Sequence, residues 1–256
     1  MTFIIAEIGV NHQGDVNLAR KLIDSAREAG ADCAKFQLFS SRKLWGDDRI
    51  ENLELRFSEM EKLHRHCQDT GIEFACSPFG IEELVFLIPL LKRVKIASGC
   101  LNKFDLLHSI HQTGLPVILS TGMSTIEEIE QALKMLAANV SLLHCTSSYP
   151  CPVVDVNLRV MDTLHKHFGL PVGYSDHTRG ITVSIAAADR GATIIEKHLT
   201  FDVKAQGPDH KASIEPQEFG KMVEAIRLIE SALGDGVKRI MPSEEGTRRK
   251  WFATAS

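Results

Sequence analysis

Pro171-Val172-Gly173-Tyr174-Ser175-Asp176-His177 and Thr193-Ile194-Ile195-Glu196-Lys197-His198-Leu199-Thr200 are apolar runs ending in polar, largely ionisable residues, with a small-residue helical pattern between them. Six earlier runs share the form, at 3–9, 32–39, 72–79, 94–99, 116–122 and 140–146. A strand buried on both faces reads as a continuous apolar stretch, as a parallel sheet covered by helices requires. Eight such runs, most of them separated by helical patterns, predict an α/β fold, the TIM (β/α)8 barrel. Its chemistry sits at the C-terminal ends of the strands. Here those ends carry Glu7, Lys35, Ser77, Lys95 with Ser98, Ser120 with Thr121, His144 through Tyr149, Ser175 with His177, and Glu196 with His198. A rim of lysines, serines, carboxylates and histidines reads as an anion site beside a metal site.

The 256 residues match one barrel of about 250. The expected plan is a barrel over 1–240 and a C-terminal tail over 241–256. With 44% hydrophobic and 24% charged residues, the chain has the profile of a soluble globular protein with a sizeable core. A net charge of -4 excludes broad electrostatic attraction to nucleic acid, so any affinity for anions is local. No run of about 18 apolar residues is present, and no membrane span is expected. The opening Met1-Thr2-Phe3-Ile4-Ile5-Ala6-Glu7 lacks the basic region of a signal peptide. Cysteines 33, 67, 76, 100, 145 and 151 form no C-x-x-C pair. Cys33, Cys76 and Cys145 read as small core residues, and the reducing cytoplasm is the expected compartment.

Periodicity places helices over residues 16–29, 57–70, 81–91, 104–113, 125–137, 158–168, 181–190 and 216–233. Asp15 or Asn17 is expected to cap the first, and Ser124 the fifth. Residues 40–55 are charged and poorly periodic, and read as a long loop at the barrel mouth.

Lys35 and Lys95 each interrupt a run that otherwise reads as core, and a buried lysine is costly unless neutralised. Pairing with a carboxylate is the structural explanation. Beside serines at three other strand ends, a phosphate or carboxylate cradle is the better one, and a Schiff-base lysine competes with it. His177 and His198 end consecutive strands and could ligate one divalent metal, act as acid and base, or serve as structural donors. Glu7 either pairs with His12 or orients a hydroxyl or water at the mouth. Asp209, in Gly207-Pro208-Asp209-His210-Lys211, either reaches the mouth or is a turn aspartate.

These residues form an ordered set. Ala6-Glu7-Ile8-Gly9-Val10-Asn11-His12, Lys35-Phe36-Gln37, Lys95-Ile96-Ala97-Ser98-Gly99 and Ile118-Leu119-Ser120-Thr121-Gly122-Met123 are followed by Leu143-His144-Cys145-Thr146 with Tyr149-Pro150. Gly173-Tyr174-Ser175-Asp176-His177-Thr178, Glu196-Lys197-His198-Leu199-Thr200 and Gly207-Pro208-Asp209 complete it. Through about Leu233 the chain resembles the N-acetylneuraminate (sialic acid) synthase family. The resemblance implies a transferase of polysaccharide biosynthesis that condenses phosphoenolpyruvate with an aldehyde sugar, giving a 3-deoxy-2-keto acid and phosphate. It implies that Lys35, Ser77, Lys95, Ser98, Ser120 and Ser175 hold phosphoenolpyruvate. His177 and His198 would bind a divalent metal, usually Mn²⁺, with Mg²⁺ or Co²⁺ as alternatives. Glu7 would act at the reacting centre, and Asp209 and Tyr149 would contact the acceptor.

Two positions depart from the family pattern. Cys100 stands where an acidic residue is usual, and Ser147 where many members carry Asn. Both are expected at the acceptor. Sialic acid synthases also usually carry a C-terminal antifreeze-like domain beyond the point where this chain stops. The resulting expectation is poor use of N-acetylmannosamine, with another aldehyde sugar preferred. A homodimer is compatible with the sequence. A Schiff-base aldolase and a non-catalytic sugar-phosphate-binding barrel are the competing readings.

Overall fold

The computed structural model describes residues 1–48, 50–136 and 139–252. All eight expected strands form: β1 (Phe3–Gly9), β2 (Cys33–Leu38), β3 (Glu73–Pro78), β4 (Val94–Ile96), β5 (Val117–Ser120), β6 (Val140–His144), β7 (Val172–Asp176) and β8 (Ile194–His198). Every ladder is parallel, in the order β3-β2-β1-β8-β7-β6-β5-β4. The end strands β3 and β4 lie side by side and close the ring without a backbone ladder. The fold is the expected TIM barrel.

Side chains alternate across a strand, and here that alternation divides the core. Ile4, Ala6, Ile8, Ala34 and Phe36 pack outward in the large core beneath the helices. Ile5, Cys33, Ala75, Ile118, Leu143 and Ile194 form a separate apolar cluster in the lumen. Two residues beyond each of these six come Glu7, Lys35, Ser77, Ser120, Cys145 and Glu196, all lining the mouth cavity. One period of the pleat thus carries the lumen from an apolar floor to an ionic layer.

The helices are α1 (Val16–Glu28), α2 (Ser41–Trp45), α3 (Phe57–Thr70), α4 (Ile81–Leu87), α5 (Phe104–Gln112), α6 (Ile126–Met135), α7 (Val160–Phe168), α8 (Thr182–Asp189), α9 (Pro216–Ala232) and α10 (Glu245–Phe252). Asp15 caps α1 by accepting from the Asn17 N–H at 2.7 Å. The cap of α6 is Thr125 rather than Ser124, because Thr125 and Glu128 bond each other's backbone N–H groups. The expected end of that helix at Ala137 lies outside the described residues. The 40–55 segment is less irregular than its sequence suggests, forming α2 and a 3-10 turn over Glu51–Leu53. Ser41 supports it by donating to the Asp47 carbonyl at 2.9 Å. From Ser231 onward every described residue is exposed, α10 included.

Candidate active site

The C-terminal strand ends enclose a cavity of about 450 Å³, within the range of small-molecule sites. At its base the buried Glu196 carboxylate lies between two ammonium groups, with Oε2 3.6 Å from Lys35 Nζ and Oε1 3.5 Å from Lys95 Nζ. The Ser175 hydroxyl donates to Oε1 at 2.9 Å. Lys35 also meets Glu7 at 2.7 Å, and Lys95 donates to Ser120 Oγ at 2.7 Å. Gln37 Nε2 donates to the other Glu7 oxygen at 2.8 Å. Of the two readings of Glu7, pairing with His12 is therefore not what the chain does. His12 instead accepts from the Gly14 N–H at 3.0 Å.

Burial and charge set different protonation preferences for these groups. Burial pushes Glu196 up, but the two lysines and the Ser175 hydroxyl outweigh it and hold the carboxyl down at about 2. Burial also raises Glu7, and there it prevails over Lys35, helped by the charge on Glu196. Lys35 faces two carboxylates that more than offset its burial, so its ammonium is held above the ordinary range. Lys95 is moved the other way by burial.

The upper layer carries the histidines. Their ring centroids are 5.5 Å apart, and Tyr149 lies over both, 4.1 Å from His177 and 5.7 Å from His198. His177 Nδ1 bonds the Thr146 carbonyl at 2.8 Å, which fixes the tautomer and leaves Nε2 free. Burial lowers both imidazoles, His198 strongly. Asp209 is 3.6 Å from His198 Nδ1, and burial together with Glu7 raises it to about 7. Its loop is clamped to the turn after β1 because Asn11 donates to Ser213 Oγ at 2.8 Å while Ser213 Oγ donates to the Asp209 carbonyl at 2.7 Å. Among the described residues no three His, Cys, Asp or Glu side chains are spaced to close around a metal ion. His177, His198 and Asp209 assemble at the mouth without making such a group.

Of the thirteen candidate residues, twelve line this cavity: Glu7, Lys35, Ser77, Lys95, Ser98, Ser120, Ser147, Tyr149, Ser175, His177, His198 and Asp209. Cys100 does not. It is fully buried in the outer core after β4, because the 3-10 turn Ser98–Cys100 rotates it away from Ser98. Sequence reasoning also misplaced Cys145, which lines the cavity 3.2 Å from Ser98 Oγ. Glu196 was read at its strand end but given no role, and Gln37 was not singled out, although alternation from His198 and Lys35 puts both on the inner face. Gly9 was missed as well. Its φ of +53° follows a shift in the β1–β2 register, and a Cβ there would meet Asp209, Glu7 and Gln37 at 3.1–3.3 Å.

A (β/α)8 barrel with two lysines, serines and carboxylates beneath two imidazoles defines an enzyme-like anion site at the catalytic face. A profile of the NeuB family matches residues 22–238, and the chain belongs to that family. It is 43% identical to the N,N'-diacetyllegionaminic acid synthase of Campylobacter jejuni, over 95% of this chain and 81% of that one. It is 38% identical to human N-acetylneuraminate-9-phosphate synthase, over 97% and 76%. The crystal structure of an N-acetylneuraminic acid synthetase from Leptospira borgpetersenii, in complex with citrate, superposes with a TM-score of 0.90. The identity there is 37%, covering 98% of this chain and 92% of that one.

Proposed function

We propose that this chain condenses phosphoenolpyruvate with an aldehyde sugar, releasing phosphate and forming a 3-deoxy-2-keto acid. The observation carrying this is the pair Lys35 and Lys95 flanking Glu196, with Ser77, Ser98, Ser120 and Ser175 in the same cavity. Two ammonium groups and four hydroxyls lining one cavity suit a small ligand with two anionic ends, and phosphoenolpyruvate has a phosphate and a carboxylate. The names of the relatives, synthases of acidic sugars, point to the same product class.

The enol carbon attacks the aldehyde carbon, and the aldehyde oxygen takes a proton to become a hydroxyl. Water adds to the cation left at the second carbon and gives up a proton. The tetrahedral intermediate then breaks its bond to the phosphate oxygen, its hydroxyl proton passing to the departing phosphate, and leaves a ketone. Lys35 and Lys95 hold the anionic groups throughout. Glu7, held by Lys35 and Gln37, would receive the proton from water. Asp209, Tyr149 and Ser147 line the same cavity and would contact the acceptor.

His177 and His198 would hold a divalent cation, Mn²⁺ first, with Mg²⁺ or Co²⁺ as alternatives. Two observations fit one. His177 spends its Nδ1 on a backbone carbonyl, as metal-binding imidazoles commonly do, and His198 Nδ1 is buried without a hydrogen bond. Such a cation supplies Lewis acidity toward the aldehyde oxygen when bound. A cytoplasmic homodimer, with a barrel over 1–240 and a tail over 241–256, completes the proposal.

Phosphate release from phosphoenolpyruvate, measured across a panel of aldehyde sugars that includes N-acetylmannosamine, tests the function. Release that requires both substrates is expected. No release with any sugar, while phosphoenolpyruvate still binds, would leave only a non-catalytic barrel. Lys95, lowered by burial, is the lysine a Schiff-base aldolase would use. Borohydride trapping with a keto acid should give no adduct.

A further inference from the structure

At one corner of the cavity, Ser98, Cys145, Ser147 and Gly122 meet more closely than their sequence positions suggest. Ser98 Oγ accepts from the Gly122 N–H at 3.0 Å and lies 3.2 Å from Cys145 Sγ. A Cβ on Gly122 would fall 2.4 Å from Ser147 Oγ, 2.9 Å from Ser98 Oγ and 3.0 Å from Cys145 Sγ, so a side chain there would displace these groups. The three side chains all line the cavity, whereas Gly122 presses on them from behind through its backbone.

A serine hydroxyl has one hydrogen and two lone pairs, and a thiol has one hydrogen and is a weak donor. The Gly122 N–H fills one lone pair of Ser98. Two arrangements remain for the proton between Ser98 and Cys145. If the hydroxyl donates to sulfur, Ser98 keeps one lone pair but has no hydrogen to offer an anion. If the thiol donates to oxygen, both lone pairs are filled and the hydroxyl hydrogen is left for an anion in the cavity. An anion selects the second arrangement, and burial keeps the thiol protonated and able to supply it.

We infer that Cys145 is a positioning residue for the anion site: its S–H fills the second lone pair of Ser98, so that Ser98 presents its O–H to a bound phosphate or carboxylate oxygen. This rests on the proposed anion role of the cradle and adds a cause for one of its donors. It also accounts for a cysteine that composition alone assigns to the core.

The test is a double-mutant cycle in the affinity of the whole chain for inorganic phosphate, read by titration calorimetry, with KM and kcat for phosphoenolpyruvate measured alongside. Cys145→Ala should weaken phosphate binding about 5-fold, in the range of one hydrogen bond. It should raise KM similarly while changing kcat less than about 2-fold. Cys145→Ser, which restores a donor, should recover most of the loss. In a Ser98→Ala background, Cys145→Ala should have no further effect. Additive losses would mean that Cys145 only fills space, and an unaffected Cys145→Ala would remove it from the site, and either result overturns the inference alone. Failure of the unmodified chain to bind phosphate would overturn the anion role of the cradle as well.

Discussion

Lys197 Nζ lies 3.1 Å from Asp176 Oδ2, and neither side chain has any solvent exposure. They are register partners on β7 and β8, facing outward beneath α8, whose Ser184 donates to the same Asp176 oxygen at 2.6 Å. Each directly precedes a cavity histidine, so the pair fixes from behind the two strand ends that carry His177 and His198.

Removing one partner of such a pair leaves a buried charge without its counterpart. Lys197→Met should destabilise the fold by about 3–5 kcal/mol, and adding Asp176→Asn should return much of that loss. Denaturant unfolding of the two single variants and the double variant measures the coupling. A double variant as unstable as the sum of the singles would show that the ion pair contributes nothing specific.

Lys35→Met and Lys95→Met should each weaken phosphoenolpyruvate binding roughly 10- to 100-fold, since each removes a charge-assisted contact of about 1.5–3 kcal/mol. Calorimetric titration of the ligand settles it. Unchanged affinity in both variants would take the lysines out of the site.

His177→Ala and His198→Ala should abolish divalent-cation-dependent turnover and weaken Mn²⁺ binding, read by electron paramagnetic resonance. The circular dichroism spectrum should persist, because mouth residues of a barrel add little to its stability. Full turnover after exhaustive chelation would reject the metal role.

His12 makes the fold sensitive to acid. Burial lowers its imidazole from 6.5 to about 4. Protonation of Nδ1 would also set a second donor against the Gly14 N–H. The unfolded chain therefore takes up a proton that the folded chain refuses. Stability from this source is complete above about 6.5 and declines as the pH falls toward 4, by about 3 kcal/mol in all. In His12→Asn the fall in unfolding free energy over that interval should be shallower by this amount, and an unaltered slope would refute the assignment.

The strands were legible because apolar runs and their polar ends survive in one dimension. The Lys35 and Lys95 violations marked the cavity for the same reason. The part played by Glu196 stayed hidden because its partners come from β2, β4 and β7, and only the closed ring brings them within 4 Å. Cys100 misled for the opposite reason. It follows Ser98-Gly99 directly, but a single 3-10 turn carries it through the wall into the core. With it goes half of the argument for an altered acceptor pocket, leaving Ser147 as the departure that lines the cavity.

The apolar floor of Ile5, Cys33, Ala75, Ile118, Leu143 and Ile194 turns the site into a well with one opening. Whatever binds the ionic layer must enter before anything settles beneath Tyr149, and it leaves only after the upper occupant has gone. A vessel of this shape imposes a queue: phosphoenolpyruvate first and sugar second, then keto acid out first and phosphate last. Phosphate should consequently inhibit competitively against phosphoenolpyruvate, and the keto acid should not. The reverse pattern would mean that the floor opens during turnover.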